Sequence, residues 1–462
     1  MKNLCALILA AGKGTRMVSN RAKVLHKVCG VPMLRMIYNA ALGIEPDEIM
    51  IVIGQDADQV RVALGGLPAR FVLQREQLGT GHAAMTAREL LRGKKGDVLV
   101  LSGDAPRIRT ATLRNLVERH RNCGAATTLL TAHSQQPFGY GRILRSGDGR
   151  IEAIVEERDA TPEQRAVTEI NPGFYCFQIG PLIESLDRLT DDNVQKEYYL
   201  TDIVRIQHSN GLRVEGLLHG DFEELRGINT RRELAELSLT VGKEKNQELM
   251  ASGVTLIDPD RTYVDQDVVV EKDVTLYPVV TLEGKTRIGE GCIIRSGARI
   301  ADSVIGPDVQ ILESCLITDS EVGAGTTIGP CARLRQHVVV GQRCRIGNFV
   351  EIKKSTLGDE TKAAHLAYIG DAVVGSRVNI SAGVVTCNFD GVRKNITIIE
   401  DEAFVGTNCQ LVAPVRIGRG AYIAAGSCIT RDVPAGALGI ERTRQINKEG
   451  WVERRKRLKE SS

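Results

Sequence analysis

The chain carries no excess of charge of either sign. Its 60 Lys and Arg against 57 Asp and Glu leave a formal net charge of +3 over 462 residues. That gives no basic field to hold nucleic acid. A CxxC pair is also missing: the eleven cysteines are odd in number and scattered. Such usage argues against a disulfide framework or zinc ribbon and for reduced thiols in a cytosol. The apolar stretch at residues 4–11 is too short for a signal h-region with a cleavage site, and far too short to span a bilayer. These absences lead to the expectation of a soluble, cytoplasmic protein without nucleic-acid or membrane partners. What is present is a globular composition, 42% hydrophobic and 25% charged, in a chain long enough for two or three domains.

The strongest pattern is a period of six. Val322, Ile328, Leu334, Val340, Ile346 and Ile352 follow one another at that interval, and Val322, Ile328, Val340 and Ile346 are each followed by Gly. Neither a 3.6-residue helix nor a simple alternating strand predicts such a run. It fits a solenoid of short parallel strands in which every sixth side chain points inward and Gly helps turn the corner. The period returns at Val374 and Ile380, then at Val405, Leu411, Ile417, Ile423 and Ile429. Upstream it runs through Ile288, Ile294 and Ile300 and slips one residue to Ile305 and Ile311. The expectation is a parallel β-helix of roughly nine coils. Residues 355–371 and 384–403 break the period and are expected to be insertions, which in solenoids often lie on the binding side.

The first 229 residues alternate instead. Apolar runs near 4–9, 49–53, 71–73, 98–101 and 126–130 read as strands, with helical segments near 33–42, 57–64 and 81–91 between the first four. That order predicts a mostly parallel, Rossmann-like α/β sheet with ligands at the carboxyl ends of its strands. At the first such end stands Ala10-Ala11-Gly12-Lys13-Gly14-Thr15-Arg16-Met17, where small residues let backbone N–H groups approach a phosphate while Lys13 and Arg16 add charge. The loop alone could equally be a tight turn, and it matches neither the dinucleotide fingerprint nor a Walker loop. Lys23 reads as a phosphate clamp or as a surface lysine. Gln74 precedes the glycine-rich Gln77-Leu78-Gly79-Thr80-Gly81-His82, and a glutamine amide can donate and accept at once, as a pyrimidine edge requires. Ser102-Gly103-Asp104 ends a strand with a carboxylate, either a cap or a magnesium ligand. Between the halves, residues 231–250 read as a linker helix with a solvated face.

Residues 9–17, Lys23-Val24-Leu25-His26, residues 77–82 and Gly103-Asp104 resemble the sugar-1-phosphate nucleotidyltransferase family. Joined to a hexapeptide solenoid, they resemble the bacterial family of bifunctional N-acetylglucosamine-1-phosphate uridyltransferase / glucosamine-1-phosphate acetyltransferases over nearly the full length. The resemblance implies a uridylyltransferase domain over 1–229, a linker over 230–250 and a left-handed parallel β-helix with a basic tail over 251–462. It implies acetylation of glucosamine-1-phosphate by acetyl-CoA, then UMP transfer from UTP to give UDP-N-acetylglucosamine, by a homotrimer. Leu9, Ala10, Ala11, Gly12, Arg16, Lys23, Gln74, Gly79, Thr80, Ser102, Gly103 and Asp104 would then bind the nucleotide. Gly141, Glu156 and Asn171 would hold sugar hydroxyls, and Asp104 with Asn229 would carry Mg2+. This chain departs from the family at Ala22, Ser102, Arg107 and Pro172, where Pro, an aromatic, an apolar residue and Thr are usual.

In the solenoid the same resemblance makes His365 the general base, with Glu351 as an orienting partner. Arg335, Lys353, Tyr368 and Asn379 would bind the sugar phosphate; Ala382, Asn388, Phe389, Thr407, Ala425 and Arg442 would line the acetyl-CoA site. Gln336, Phe389 and Thr407 stand where Pro, Tyr and Ser are usual. The basic tail, with Arg454-Arg455-Lys456-Arg457, reads as a solvated end or as a contact for coenzyme A phosphates. Three readings follow: the bifunctional enzyme, a nucleotidyltransferase whose solenoid only assembles an oligomer, and a non-enzymatic regulatory subunit. The set His365–Asn388 speaks against the second, and Asp104 with Asn229 against the third.

Overall fold

A computed structural model describes residues 1–12 and 14–460; Lys13 lies outside the described residues. The chain divides into two compact units, Met1–Val241 and Gly242–Ser462, and the division falls inside the helix Arg231–Ala251. Leu237 and Val241 of that helix pack with Val28, Met33 and Ile228. Further along it, Leu249 belongs to the solenoid core.

The first unit is built on a ten-stranded mixed sheet. Arg70–Leu73, Glu48–Ile53, Leu4–Ala10 and Asp97–Ser102 lie side by side and parallel. On strand Leu4–Ala10, Leu4, Ala6 and Ile8 pack with Leu34, Ile37, Leu113 and Leu116. Cys5 and Leu7 face the other way, toward Ala83, Ala84, Leu182 and Ile203. Helices therefore cover both faces, which is why the strand reads as one continuous apolar run. Past Asp97–Ser102 the pairing turns antiparallel through Tyr175–Gln178, Thr127–His133, Glu169–Asn171, Gly141–Arg145 and Ile151–Val155. Val214–Leu218 adds a parallel strand against Thr127–His133.

The second unit is a left-handed β-helix of three parallel sheets with eleven, ten and nine strands. In one sheet Ile294, Ile311, Ile328, Ile346, Ala363, Ile380, Val405 and Ile423 stack inward, coil on coil. Two expectations need correction here. Residues 355–371 are no insertion: Leu357, Ala363, Ile369 and Val374 continue the inward row, all buried, through strands Thr356–Leu357, Lys362–His365, Tyr368–Gly370 and Ala372–Val374. The period was hidden because the inward residue at 363 is alanine. The real excursion is shorter than expected and follows Val385–Cys387, ending at Thr397–Ile399.

The second correction concerns glycine. Of the four glycines Gly329 turns with positive φ, at +108°, as expected; Gly323, Gly341 and Gly347 do not, and Arg343 and Glu360 take positive φ at the corners beside them, at +51° and +60°. The glycines sit where one coil touches the next. A Cβ on Gly341 would lie 2.5 Å from Asp359 Oδ1 and 2.8 Å from its backbone N, and one on Gly347 would lie 1.9 Å from Ala364 O. Gly341→Ala should therefore destabilise the solenoid by about 1–3 kcal/mol, the usual cost of overpacking, read as a lower urea midpoint.

Candidate active sites

In the first unit the carboxyl ends of the parallel strands open into a cleft of ≈ 570 Å³. Leu9, Ala10, Ala11, Gly12, Lys23, Gln74, Gly79, Thr80, Ser102, Asp104, Glu156 and Asn171 line it. The N–H groups of Ala11 and Gly12 make no hydrogen bond among the described residues, leaving donors for an anion. Gly103 backs the cleft: its N–H donates to Leu9 O at 2.9 Å, and a Cβ there would stand 2.5 Å from that oxygen. Gly141 is behind Glu156, with room for no larger residue beside Ile154. Arg16 is exposed and does not line the cleft.

At the centre, Asp104 Oδ2 and Asn229 Oδ1 converge on the Lys23 ammonium; the second contact is 2.8 Å. Asn229 arrives from a distant segment, tied down by Ile228 N–H donating to Asp104 O at 2.8 Å. Beside it, the Tyr140 hydroxyl accepts from Gly227 N–H at 3.2 Å, and burial pushes Tyr140 up to about 12. Burial alone would raise the Asp104 carboxyl. Lys23 and the Ser102 hydroxyl outweigh it and hold Asp104 below the usual carboxylate range. Two hard oxygen donors already meeting at one cation match what Mg2+ takes from a protein before substrate phosphates complete its shell.

The other wall has a different character. Burial pushes the Glu156 carboxyl up, only partly offset by the Thr201 hydroxyl, which donates to Oε1 at 3.0 Å. Asn171 donates to the Tyr175 hydroxyl at 2.6 Å and accepts from Gly173 N–H at 3.1 Å. Gln74 is buried, its amide donating to Gly79 O at 3.2 Å and lying 3.0 Å from His82 Nδ1. Sequence reasoning missed several lining groups: Gln77, Arg158, Tyr175, Gln195, Glu197 and Thr201. Only Gln77 had a signal, from its place in the glycine-rich turn. Its Oε1 is buried without a partner among the described residues.

In the solenoid the named residues fall on two lines. One runs along a corner, where successive coils are joined by Leu366 N–H to Asn348 O, Gly383 N–H to Leu366 O, Asn408 N–H to Ala382 O and Gly426 N–H to Thr407 O, all at 2.8 Å. Arg442 Nη1 continues it to Ala425 O at 3.1 Å. His365 is exposed on this line, at the end of strand Lys362–His365. Ser381 N–H and Gly383 N–H are committed to Val405 O and Leu366 O, whereas Ala382 N–H has no partner among the described residues. Asn379, two residues earlier, donates to Ser381 Oγ at 3.2 Å.

The second line is cationic. Arg335 pairs in register with Lys353, and Lys353 with Gly370. The Tyr368 ring folds over Gly370, where a Cβ would lie 2.5 Å from the phenol oxygen. Lys353, 6% exposed, reaches Asp371 at 3.6 Å, and Asn388 donates to the same carboxylate. Glu351 does not orient His365: Arg335 holds it, at 2.7–2.8 Å. Phe389 is exposed in the excursion and bridges to Lys394. Lys394 was not foreseen. The neighbouring Lys353 ammonium pushes it below the usual lysine range. The tail helix Trp451–Glu460 is exposed throughout.

Residues 6–192 match the family described as MobA-like NTP transferase domain. Residues 261–342 match the GMPPB C-terminal domain, and 396–431 match six repeats of the bacterial transferase hexapeptide. Fold and clefts thus define a nucleotidyltransferase followed by a hexapeptide transferase. Over nearly its whole length the chain is similar to proteins named Bifunctional protein GlmU. That of Pelobacter propionicus is 46% identical, with 99% of this chain and 100% of the relative covered. That of Clostridium acetobutylicum is 47% identical, covering 98% and 99%; that of Geobacter metallireducens is 46% identical, covering 98% of each. The chain belongs to the GlmU family and is a bifunctional uridyltransferase and acetyltransferase.

The raised Glu156 carboxyl has a consequence for stability. The folded chain binds this proton more tightly than the unfolded one, so stability falls as pH rises from the ordinary carboxylate range through the raised value. Glu156→Gln keeps an acceptor for Thr201 and removes the charge. It should raise the thermal midpoint at neutral pH, with the gain shrinking in mild acid, as scanning calorimetry at both pH values would show.

Proposed function

We propose that the first unit transfers UMP from UTP to N-acetylglucosamine-1-phosphate, and the second acetylates glucosamine-1-phosphate with acetyl-CoA. The observation that carries the first assignment is the meeting of Asp104 and Asn229 oxygens at one cation within a cleft that offers free backbone N–H groups. Ala11 and Gly12 would donate to triphosphate oxygens, with Arg16 at the outer rim. Gln74 and the Gly79–Thr80 turn would hold the uracil; Gly141, Glu156 and Asn171 would hold sugar hydroxyls. Asp104 and Asn229 would hold Mg2+, which when bound neutralises charge on the phosphates. Lys23, released from Asp104, would then turn to the triphosphate. The sugar phosphate oxygen attacks the α-phosphorus in line and pyrophosphate leaves, so the protein's work is positioning and electrostatics.

In the solenoid, Arg335, Lys353 and Lys394 would clamp the sugar phosphate, with Tyr368 and Asn379 on the sugar. His365 would take the proton as the amine attacks the thioester carbonyl. The free Ala382 N–H would donate to the oxygen that gains charge, before coenzyme A leaves as the thiolate. Asn388, Phe389, Thr407, Ala425 and Arg442 would line the acyl donor's path. An exposed His365 whose ring has no partner among the described residues suits a site completed by a neighbouring subunit, and we assign the working form as a cytoplasmic homotrimer. No helix among the described residues is long and apolar enough to cross a membrane.

Asp104→Ala should cost several kcal/mol of transition-state stabilisation in UDP-sugar formation and leave acetyl transfer at the level of the parent. His365→Ala should lower acetyl transfer by roughly 10²–10⁴-fold without changing UTP consumption when N-acetylglucosamine-1-phosphate is supplied. A His365→Ala variant that acetylates normally would return the solenoid to a scaffold. Light scattering should give three times the chain mass; a fully active monomer would exclude the shared site.

A further inference from the structure

We infer that Ser102 is a positioning residue for the metal-binding carboxylate: its hydroxyl fixes one oxygen of Asp104 so that the other stays aimed at the cation point. This rests on the assignment of Asp104 and Asn229 as metal ligands. Ser102 Oγ donates to Asp104 Oδ1 at 2.7 Å, while Asp104 Oδ2 faces Lys23 and, across it, Asn229 Oδ1. The two carboxylate oxygens are thereby given different tasks.

The surroundings are shaped for this. The backbone on either side is pinned by Gly103 N–H to Leu9 O and by Ile228 N–H to Asp104 O, yet neither bond restrains the carboxylate's own torsions. Gly227 leaves the space in front of Oδ1 open; a Cβ there would approach it to 3.4 Å. Among the described residues Lys23 and Ser102 are the two side chains that bond the Asp104 carboxylate, which also accepts from its own backbone N–H. If Lys23 moves to a phosphate, Ser102 is the one side-chain bond left among the described residues that sets the carboxylate's orientation. Groups that orient a metal ligand in this way are worth about 10–100-fold in metal affinity.

The test uses the full-length protein with a non-hydrolysable UTP analogue and Mn2+, whose binding is read directly by electron paramagnetic resonance. Ser102→Ala should bind Mn2+ about tenfold more weakly, and Ser102→Thr, which keeps the hydroxyl, should recover most of that loss. In uridylyl transfer the Ala variant should need about tenfold more metal for half-saturation than the parent, and the Thr variant close to the parent amount. Near-ultraviolet circular dichroism identical to the parent checks that the fold is intact. Mn2+ affinity unchanged in Ser102→Ala, or equally weak in Ala and Thr, would overturn the inference. Asp104→Ala separates the two levels. If it abolishes Mn2+ binding while Ser102→Ala does nothing, only the role of Ser102 falls; if it too binds normally, the metal assignment itself is wrong.

Discussion

Each coil of the second unit must lie on the next at the spacing of hydrogen-bonded strands, about 4.8 Å, and this one constraint organises both its core and its chemistry. It forces the inward side chain of every hexad to stack on its equivalent one coil away, as Ile328 does on Ile346. It excludes a Cβ at Gly341 and Gly347, where coils touch. Inward and contact positions are thus closed to functional groups, which are left with outward faces and corners. A ligand lying along such a corner is read by one residue per coil, so Ala382, Thr407 and Ala425, far apart in sequence, become neighbours through the hydrogen bonds that join their coils.

The first unit solves the same problem with a different geometry. Parallel strands all end at one rim, bringing the Ala10–Gly12 turn, Gln74 and Ser102–Asp104 together. Glu156 and Asn171 enter from the antiparallel half. One half of the sheet therefore supplies donors and cations, and the other a desolvated carboxylate and a saturated amide. The wall holding Glu156 carries the opposite electrostatic character to the wall holding Lys23. On the proposed assignments, this division would separate a highly charged nucleotide from a neutral sugar ring within a single cleft.

The six-residue period was legible because a solenoid leaves no freedom at inward positions, and it failed where those positions are undersized or polar. Ala363 and Thr386 are both buried in the row, yet neither carries an apolar signal, so a regular coil around His365 read as an insertion. Glycine at the end of a hexad was visible, but its reason was not, since sequence cannot distinguish a positive φ from a close contact. The motifs at the strand ends located the cleft because they need small residues and charge at fixed spacing. Tyr175, Thr201 and Lys394 have no such signature. They reach their sites through tertiary packing alone, as does the pairing that gives Glu351 to Arg335 and not to His365.

On the proposed assignments, the two sites grip opposite ends of one molecule, and this explains why a single pocket could not serve both steps. In acetyl transfer the amine reacts, so the phosphate must be the anchored end; Arg335, Lys353 and Lys394 gather cations around it with too few carboxylates to neutralise them. In uridylyl transfer that phosphate is the nucleophile. A tight cluster of cations around its attacking oxygen would stabilise the ground state as much as the transition state and gain nothing in rate. The first unit instead anchors the sugar through Glu156, Asn171 and Gly141 and spends its cations on the triphosphate. Lys23 embodies the difference. Paired with Asp104 and Asn229 before substrates arrive, it keeps the cation point satisfied until a metal would take its place and leave it to the triphosphate.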